Sequence, residues 1–193
     1  MAVAVERVAH HDDLAPRARL STNRFGLWLF MASETFLFAA AIAARYYLLG
    51  FEKPEELNQP LGLAITSILL LSSLTAYLAE ASIATDDQRG FRRFTMATVL
   101  LGMVFLGGVA YEWSEAFDHF PPQSPFGTVF FTLTGLHAFH VLSGVLALTA
   151  VWHVGGDGRW NAEAHWPVEG AVKYWHFVDV VWVFVYPTLY LLK

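Results

Sequence analysis

The chain has 193 residues, 55% hydrophobic and only 15% charged, and its mean hydropathy of +0.43 sets it apart from ordinary soluble domains. It has no cysteine, which excludes a disulfide framework, a Cys-ligated zinc or iron–sulfur site, Cys-x-x-Cys-His haem attachment and a thiol nucleophile. A net charge of −5 leaves no basic excess to neutralise phosphates and argues against nucleic acid as a partner.

Residues 1–20 are polar and mixed in charge, with His10, His11, Asp12, Asp13, Arg17 and Arg19. They lack the short apolar core and small-residue cleavage site of a signal peptide, and read as a mobile tail or a contact surface for a partner. Residues 21–193 read as one membrane domain. Apolar stretches recur at about 25–49, 61–83, 95–113, 126–152 and 172–192, matching a hydrocarbon layer of about 30 Å at about 1.5 Å per residue. Turn-forming clusters separate them: Lys53-Pro54-Glu55-Glu56, Asp86-Asp87-Gln88-Arg89-Gly90, Pro121-Pro122-Gln123-Ser124-Pro125 and Gly155-Gly156-Asp157-Gly158.

The predicted fold class is all-α, an integral membrane bundle of five transmembrane helices. Cytoplasmic loops carry an excess of Lys and Arg. Nine such residues (Arg7, Arg17, Arg19, Arg24, Arg89, Arg92, Arg93, Arg159, Lys173) fall on the N-terminal side, against three (Arg45, Lys53, Lys193) on the other. This places the N-terminus in the cytoplasm and, after an odd number of spans, the C-terminus outside.

Glu34 lies near the middle of the first stretch, where a carboxylate costs about 3 kcal/mol and must be neutral, paired or employed. Two readings stay open for it: an interhelical hydrogen-bonding group and a proton-linked one. Arg45, three turns on, lies near enough to the membrane edge to snorkel outward. In the fourth stretch His137, His140 and Gly144 recur at intervals of three and four and share one face. In the fifth, His176 and Asp179 stand one turn apart, with Trp175 and Trp182 beside Asp179. Three imidazoles and a carboxylate on adjacent helices could ligate a metal or haem. They could equally form an interhelical network in which imidazole N–H groups donate to Asp179, Glu34 or backbone carbonyls, because polar groups in lipid must be paired. Glu80, Glu112 and Glu169 lie near the interfaces and read as solvated or capping acids. Glu80 and Glu169, on the basic cytoplasmic side, could also line a proton-collecting surface.

Several stretches carry a resemblance: Leu29-Phe30-Met31-Ala32-Ser33-Glu34, Ala110-Tyr111-Glu112-Trp113, Gly135-Leu136-His137-Ala138-Phe139-His140, and above all Tyr174-Trp175-His176-Phe177-Val178-Asp179-Val180-Val181-Trp182. From Arg24 onward the chain resembles subunit III of the haem-copper terminal oxidases, most closely cytochrome c oxidase subunit III in its short five-helix form. The resemblance implies an accessory subunit without a catalytic centre, metal or cofactor of its own, in a bacterial-type plasma membrane. Haem and copper would reside in partner subunits. The main contact would be subunit I, with subunit II and other subunits in the same complex, and phospholipid would be bound. Stabilisation of subunit I and support of its proton uptake are the implied roles. Glu34 would correspond to the family's buried carboxylate, and His137, His140, Glu169, Trp175, His176 and Asp179 to its recurrent polar positions.

Other functions compatible with the residues are subunit III of a quinol oxidase and a relative associated with nitric oxide reductase. A stand-alone haem or metal membrane enzyme built on the His cluster belongs to a different class, as does an independent ion transporter with Glu34 as carrier. The absence of repeat symmetry and of broken helix pairs speaks against the transporter.

Overall fold

The computed structural model describes residues 2–50, 57–155 and 158–191, with side-chain surroundings from Ala18 onward. Among these residues all regular secondary structure is helical: α1 (Ala2–Leu49), α2 (Gln59–Ala84), α3 (Gln88–His119), α4 (Pro125–Val154), α5 (Trp166–Tyr186) and a short π-helical segment, Pro187–Leu191. Four helices are long and apolar enough to cross a membrane, over Ala18–Leu49, Gln59–Ala84, Gln88–His119 and Pro125–Val154. The fifth is shorter, and it carries Glu169, Lys173, His176 and Asp179 within its 21 residues. Most helices overrun the apolar stretches expected from sequence, because capped turns extend them into the interfaces. The helical backbone of α1 continues through residues 2–17, whose side-chain positions lie outside the described set.

Helix starts follow local chemistry. Asn58 accepts from the Leu61 N–H, Asp87 from Gly90 and Ser124 from Gly127, each satisfying one of the unpaired amides of a first turn. Pro60, Pro125 and Pro167 fall in first turns, where a missing N–H costs nothing. Helices α2, α3, α4 and α5 close a ring of neighbours, and α1 packs outside it against α4 and α5. Half of the apolar window of α4 is buried within the chain, against 11% of that of α1, so α4 is central and α1 peripheral.

Two glycines let helices approach closely around one indole. A Cβ on Gly102 of α3 would stand 2.6 Å from the Trp175 ring, and one on Gly144 of α4 would stand 2.7 Å from another edge of it. The indole of α5 therefore occupies a slot that two missing side chains create, and its Nε1 donates to Ser72 Oγ of α2 at 3.0 Å. One side chain thus touches the other three ring helices.

At the far end Pro187 offers no N–H for an α-helical bond, and the chain continues as a π turn. Arg45 secures that turn. Contrary to the expected outward snorkelling, its side chain is fully buried; Nε donates to the Thr188 carbonyl at 3.1 Å and another guanidinium nitrogen to the Gly50 carbonyl. The acceptors are backbone oxygens in a region where the regular helix ends, so the guanidinium is paired inside the protein rather than in water.

Candidate functional site

The α1–α4 seam joins Glu34 and His140. His140 Nδ1 lies 2.7 Å from the Leu136 carbonyl, and its Nε2 lies 3.1 Å from Glu34 Oε2. A carbonyl only accepts, so Nδ1 carries a hydrogen. The Nε2 contact then holds one proton in either of two forms: an imidazolium facing a carboxylate, or a neutral imidazole accepting from a carboxylic acid. Both are neutral overall, which suits a pair whose side chains are 7% and 19% exposed. Phe38 of α1 covers the His140 ring edge-on at 5.0 Å.

The remaining polar residues of α4 and α5 do not converge on this pair. His137 is completely buried with neither nitrogen hydrogen-bonded; its ring lies 4.6 Å from that of Trp182 and edge-on to Phe105 at 5.6 Å. His176 pairs with Ser73 of α2 through Nδ1 at 2.7 Å. Both oxygens of Asp179 are buried without a hydrogen-bond partner. Trp175 bonds Ser72, and Trp182 bonds Thr66 at 2.9 Å, so neither indole donates to Asp179. The single network expected from sequence is therefore divided, with imidazoles and indoles satisfied by hydroxyls of α2 or packed on aromatic rings. Among the described residues no three His, Asp or Glu side chains gather as a metal would require.

At the basic end, Glu169 opens α5 ahead of its apolar stretch. The Arg24 guanidinium of α1 lies 3.0 Å from both of its oxygens, and Lys173 bonds it from one turn on. Arg24 also lies over the Trp166 ring, 5.9 Å from its centre. Burial pushes the Glu169 carboxyl up, but the hydrogen bonds from Arg24 and Lys173 outweigh it and hold the acid below its ordinary range. A depressed acid contributes stability above its unfolded pKa, near 4.3, and loses it as pH falls through the lower native value. Glu169→Gln should therefore flatten the decline of the thermal midpoint on acidification below about pH 4.3, leaving a smaller change near neutrality. An acid limb as steep as the wild type's would show that the cluster contributes nothing. Glu80 of α2 is in electrostatic reach of Lys173, Glu169 and His165, so both acids expected at a proton-collecting surface lie in one charged group.

At the opposite end the Tyr190 hydroxyl lies 2.7 Å from each oxygen of buried Glu112. Glu115 accepts from Tyr111 at 2.8 Å and Asn58 at 3.3 Å. Glu112 is thus an interior tie between α3 and the π segment rather than the solvated acid expected from its position.

Residues 10–193, nearly the whole chain, match the profile of the family described as Cytochrome c oxidase subunit III. The chain belongs to that family. Proteins named cytochrome c oxidase subunit 3 are similar to it over most of its length. That of Thermostichus vulcanus is 34% identical over 197 residues, covering 99% of this chain and 94% of the relative. That of Corynebacterium diphtheriae is 33% identical, covering 96% and 98%, and that of Bacillus sp. strain PS3 is 37% identical, covering 88% and 86%. Membership of the cytochrome c oxidase subunit III family, with four apolar spanning-length helices, makes the chain a multi-pass membrane protein and a component of a multi-subunit oxidoreductase.

Sequence reasoning missed the partners on α2. Thr66, Ser72 and Ser73 bond Trp182, Trp175 and His176, and a pair of serines within the apolar run Leu69–Leu74 was the available signal. Arg24 as the partner of Glu169 was not foreseeable from spacing, since 145 positions separate them.

Proposed function

We propose that the chain is the accessory, non-catalytic subunit III of a proton-pumping cytochrome c oxidase in a bacterial-type plasma membrane. It would pack against subunit I, within a complex that includes subunit II, stabilising the catalytic subunit and supporting its proton uptake. The single observation that carries this reading is the family match over residues 10–193. The relatives are named for cytochrome c oxidase, which favours that branch over a quinol oxidase or a nitric oxide reductase relative.

The side chains are consistent with an accessory role. His140 is bonded to Glu34, His176 to Ser73, Trp175 to Ser72 and Glu112 to Tyr190. Haem and copper belong in this proposal to partner subunits, and phospholipid to the outer faces of the bundle. Counting α5 with the π segment as a fifth span, and using the nine-to-three distribution of basic residues, the N-terminus is cytoplasmic and the C-terminus outside.

Purification in mild detergent from the native membrane tests the assignment. Haem- and copper-bearing subunits should co-purify, and the chain should lose all colour and copper when separated from them. Recovery of the isolated chain with its own stoichiometric haem or metal would overturn the accessory reading.

A further inference from the structure

At the basic end of the bundle, α3 and α4 are joined by a reciprocal contact between two residues. The guanidinium of Arg92, in the second turn of α3, lies over the ring of Trp152, in the last turn of α4, 4.7 Å from its centre. The Trp152 indole N–H donates back to the Arg92 carbonyl at 3.2 Å, so each contact holds the other in place. A guanidinium stacked on a ring uses its face and keeps its N–H groups free in its own plane, the arrangement that meets a phosphate with two parallel bonds. Among the described residues no carboxylate lies within ion-pair distance of Arg92, or of the exposed Arg89 and Arg93 beside it. The nearest acids in sequence are engaged elsewhere: Asp87 accepts from the Gly90 N–H and Asp86 from the Ala162 N–H. Three arginines thus present charge without a carboxylate partner, and one of them is already oriented.

The surface that continues from Arg92 into the apolar span identifies what they meet. Met96, Val99 and Met103 follow Arg92 at intervals of four, seven and eleven, on the same face of α3, and all three are at least partly exposed. Eleven residues at about 1.5 Å each reach about 16 Å, roughly half of a hydrocarbon layer of about 30 Å. A headgroup on Arg92 therefore lays an acyl chain along this stripe to the middle of the membrane. Free phosphate would use the arginines and not the stripe, and so would an acidic segment of another subunit at the interface. A phospholipid with net negative charge uses both, since the charge answers the arginines and the chains cover the apolar side chains.

We propose that Arg92, seated on Trp152 and flanked by Arg89 and Arg93, is a binding site for the phosphodiester headgroup of an anionic phospholipid whose chains lie along α3. The inference deepens the reading of bound phospholipid made above and rests on it, adding the headgroup class and the place on the bundle.

The test is native mass spectrometry of the complete oxidase, delipidated in detergent and titrated with phosphatidylglycerol, phosphatidylcholine or inorganic phosphate. The wild type should bind phosphatidylglycerol more tightly than phosphatidylcholine, and Arg92→Gln should weaken the phosphatidylglycerol affinity about tenfold or more. Arg92→Lys keeps the charge without the planar fork and should fall between the two. Arg19→Gln, an equal change of charge on the exposed end of α1, should bind as the wild type does. Wild-type affinity in Arg92→Gln, an equal loss in Arg19→Gln, or phosphatidylcholine bound as tightly as phosphatidylglycerol would overturn the site. Displacement of the lipid by an equal concentration of inorganic phosphate would do the same, by making the arginines a phosphate site. Loss of a partner subunit that added phosphatidylglycerol does not restore would make them a protein contact instead and overturn it as well. If Arg92→Gln leaves this chain out of the complex, the exposed pair Arg89→Gln/Arg93→Gln decides: weakened phosphatidylglycerol binding supports the site, and wild-type binding overturns it. The same spectra give the subunit composition, so an oxidase that contains this chain but shows no such lipid preference removes the headgroup site and leaves the accessory-subunit reading standing.

Discussion

Replacing Trp175 by alanine is expected to destabilise the bundle by about 3–5 kcal/mol, the largest effect of any single side-chain truncation proposed for this protein. The indole is completely buried, and its surroundings cannot close over its loss, because Gly102 and Gly144 approach it with no side chains that could move into the vacated slot. Ser72 would lose its donor as well, although its own hydroxyl remains bonded to the Leu69 carbonyl. Trp175→Phe keeps part of the packing and gives up the N–H, so a smaller loss is expected from it. Filling the slot from the other side should also fail. Gly102→Ala and Gly144→Ala each place a methyl carbon under 3 Å from the ring and should cost about 1–3 kcal/mol. Combined with Trp175→Phe, either alanine should cost less than the sum, since the smaller ring vacates space that the methyl needs. Thermal midpoints and subunit retention of the purified complex provide the measurement. A Trp175→Ala subunit that stays bound with an unchanged midpoint would show that α5 is held in the assembly by something other than this slot.

The same indole shows what the sequence conveys and what it withholds. Four of the five expected spans were legible because hydrophobic length is a local property, while the shorter fifth helix, interrupted by Glu169, Lys173, His176 and Asp179, carried the family through its Tyr174–Trp182 run. The environment of each polar residue was not local. Glu34 and His140 lie 106 positions apart and meet, whereas His137, one turn from His140, faces Trp182 and Phe105 instead. Spacing of three places two side chains on adjoining parts of a face, but which neighbouring helix each meets depends on the bundle's geometry. Arg45 departs from the sequence expectation for a related reason. Proximity to the membrane edge suggested water as its partner, yet Pro187 disrupts the last turn of α5 and supplies a backbone acceptor within reach. The contribution of α2 was hidden because serine and threonine in an apolar helix usually bond their own backbone, as Ser67 does to Leu63 and Thr66 to Gly62. Thr66 also accepts from Trp182, a role that only the neighbouring helix reveals. Asp179→Ala, which an intact Asp–His network would make severe, is correspondingly expected to cost less than Trp175→Ala, because it removes no hydrogen bond of the observed interior.

Glu34→Ala should have the second large effect, about 1–3 kcal/mol, by leaving His140 Nε2 in the bundle without a partner. The loss should fall on the attachment of α1, a peripheral helix whose polar ties to the rest of the bundle include Arg24 to Glu169, Glu34 to His140 and Arg45 to the Thr188 carbonyl. Glu34→Gln separates the two forms of the one-proton link. With Nδ1 committed to Leu136, a neutral His140 presents a lone pair at Nε2, and a glutamine amide can donate to it as a carboxylic acid does. If the link is a neutral acid and a neutral imidazole, Glu34→Gln retains wild-type stability and α1 attachment while Glu34→Ala does not. If it is an ion pair, glutamine exchanges a charge-assisted bond for a neutral one to a deprotonated His140, and its loss should fall between the wild type and Glu34→Ala. Thermal midpoints of the complex near neutral pH distinguish these outcomes, and proton-uptake rates on the same preparations address the remaining role. Glu34→Gln cannot exchange a proton as a carboxyl does, so an assembled variant with wild-type uptake would make Glu34 a helix-fastening group and nothing more.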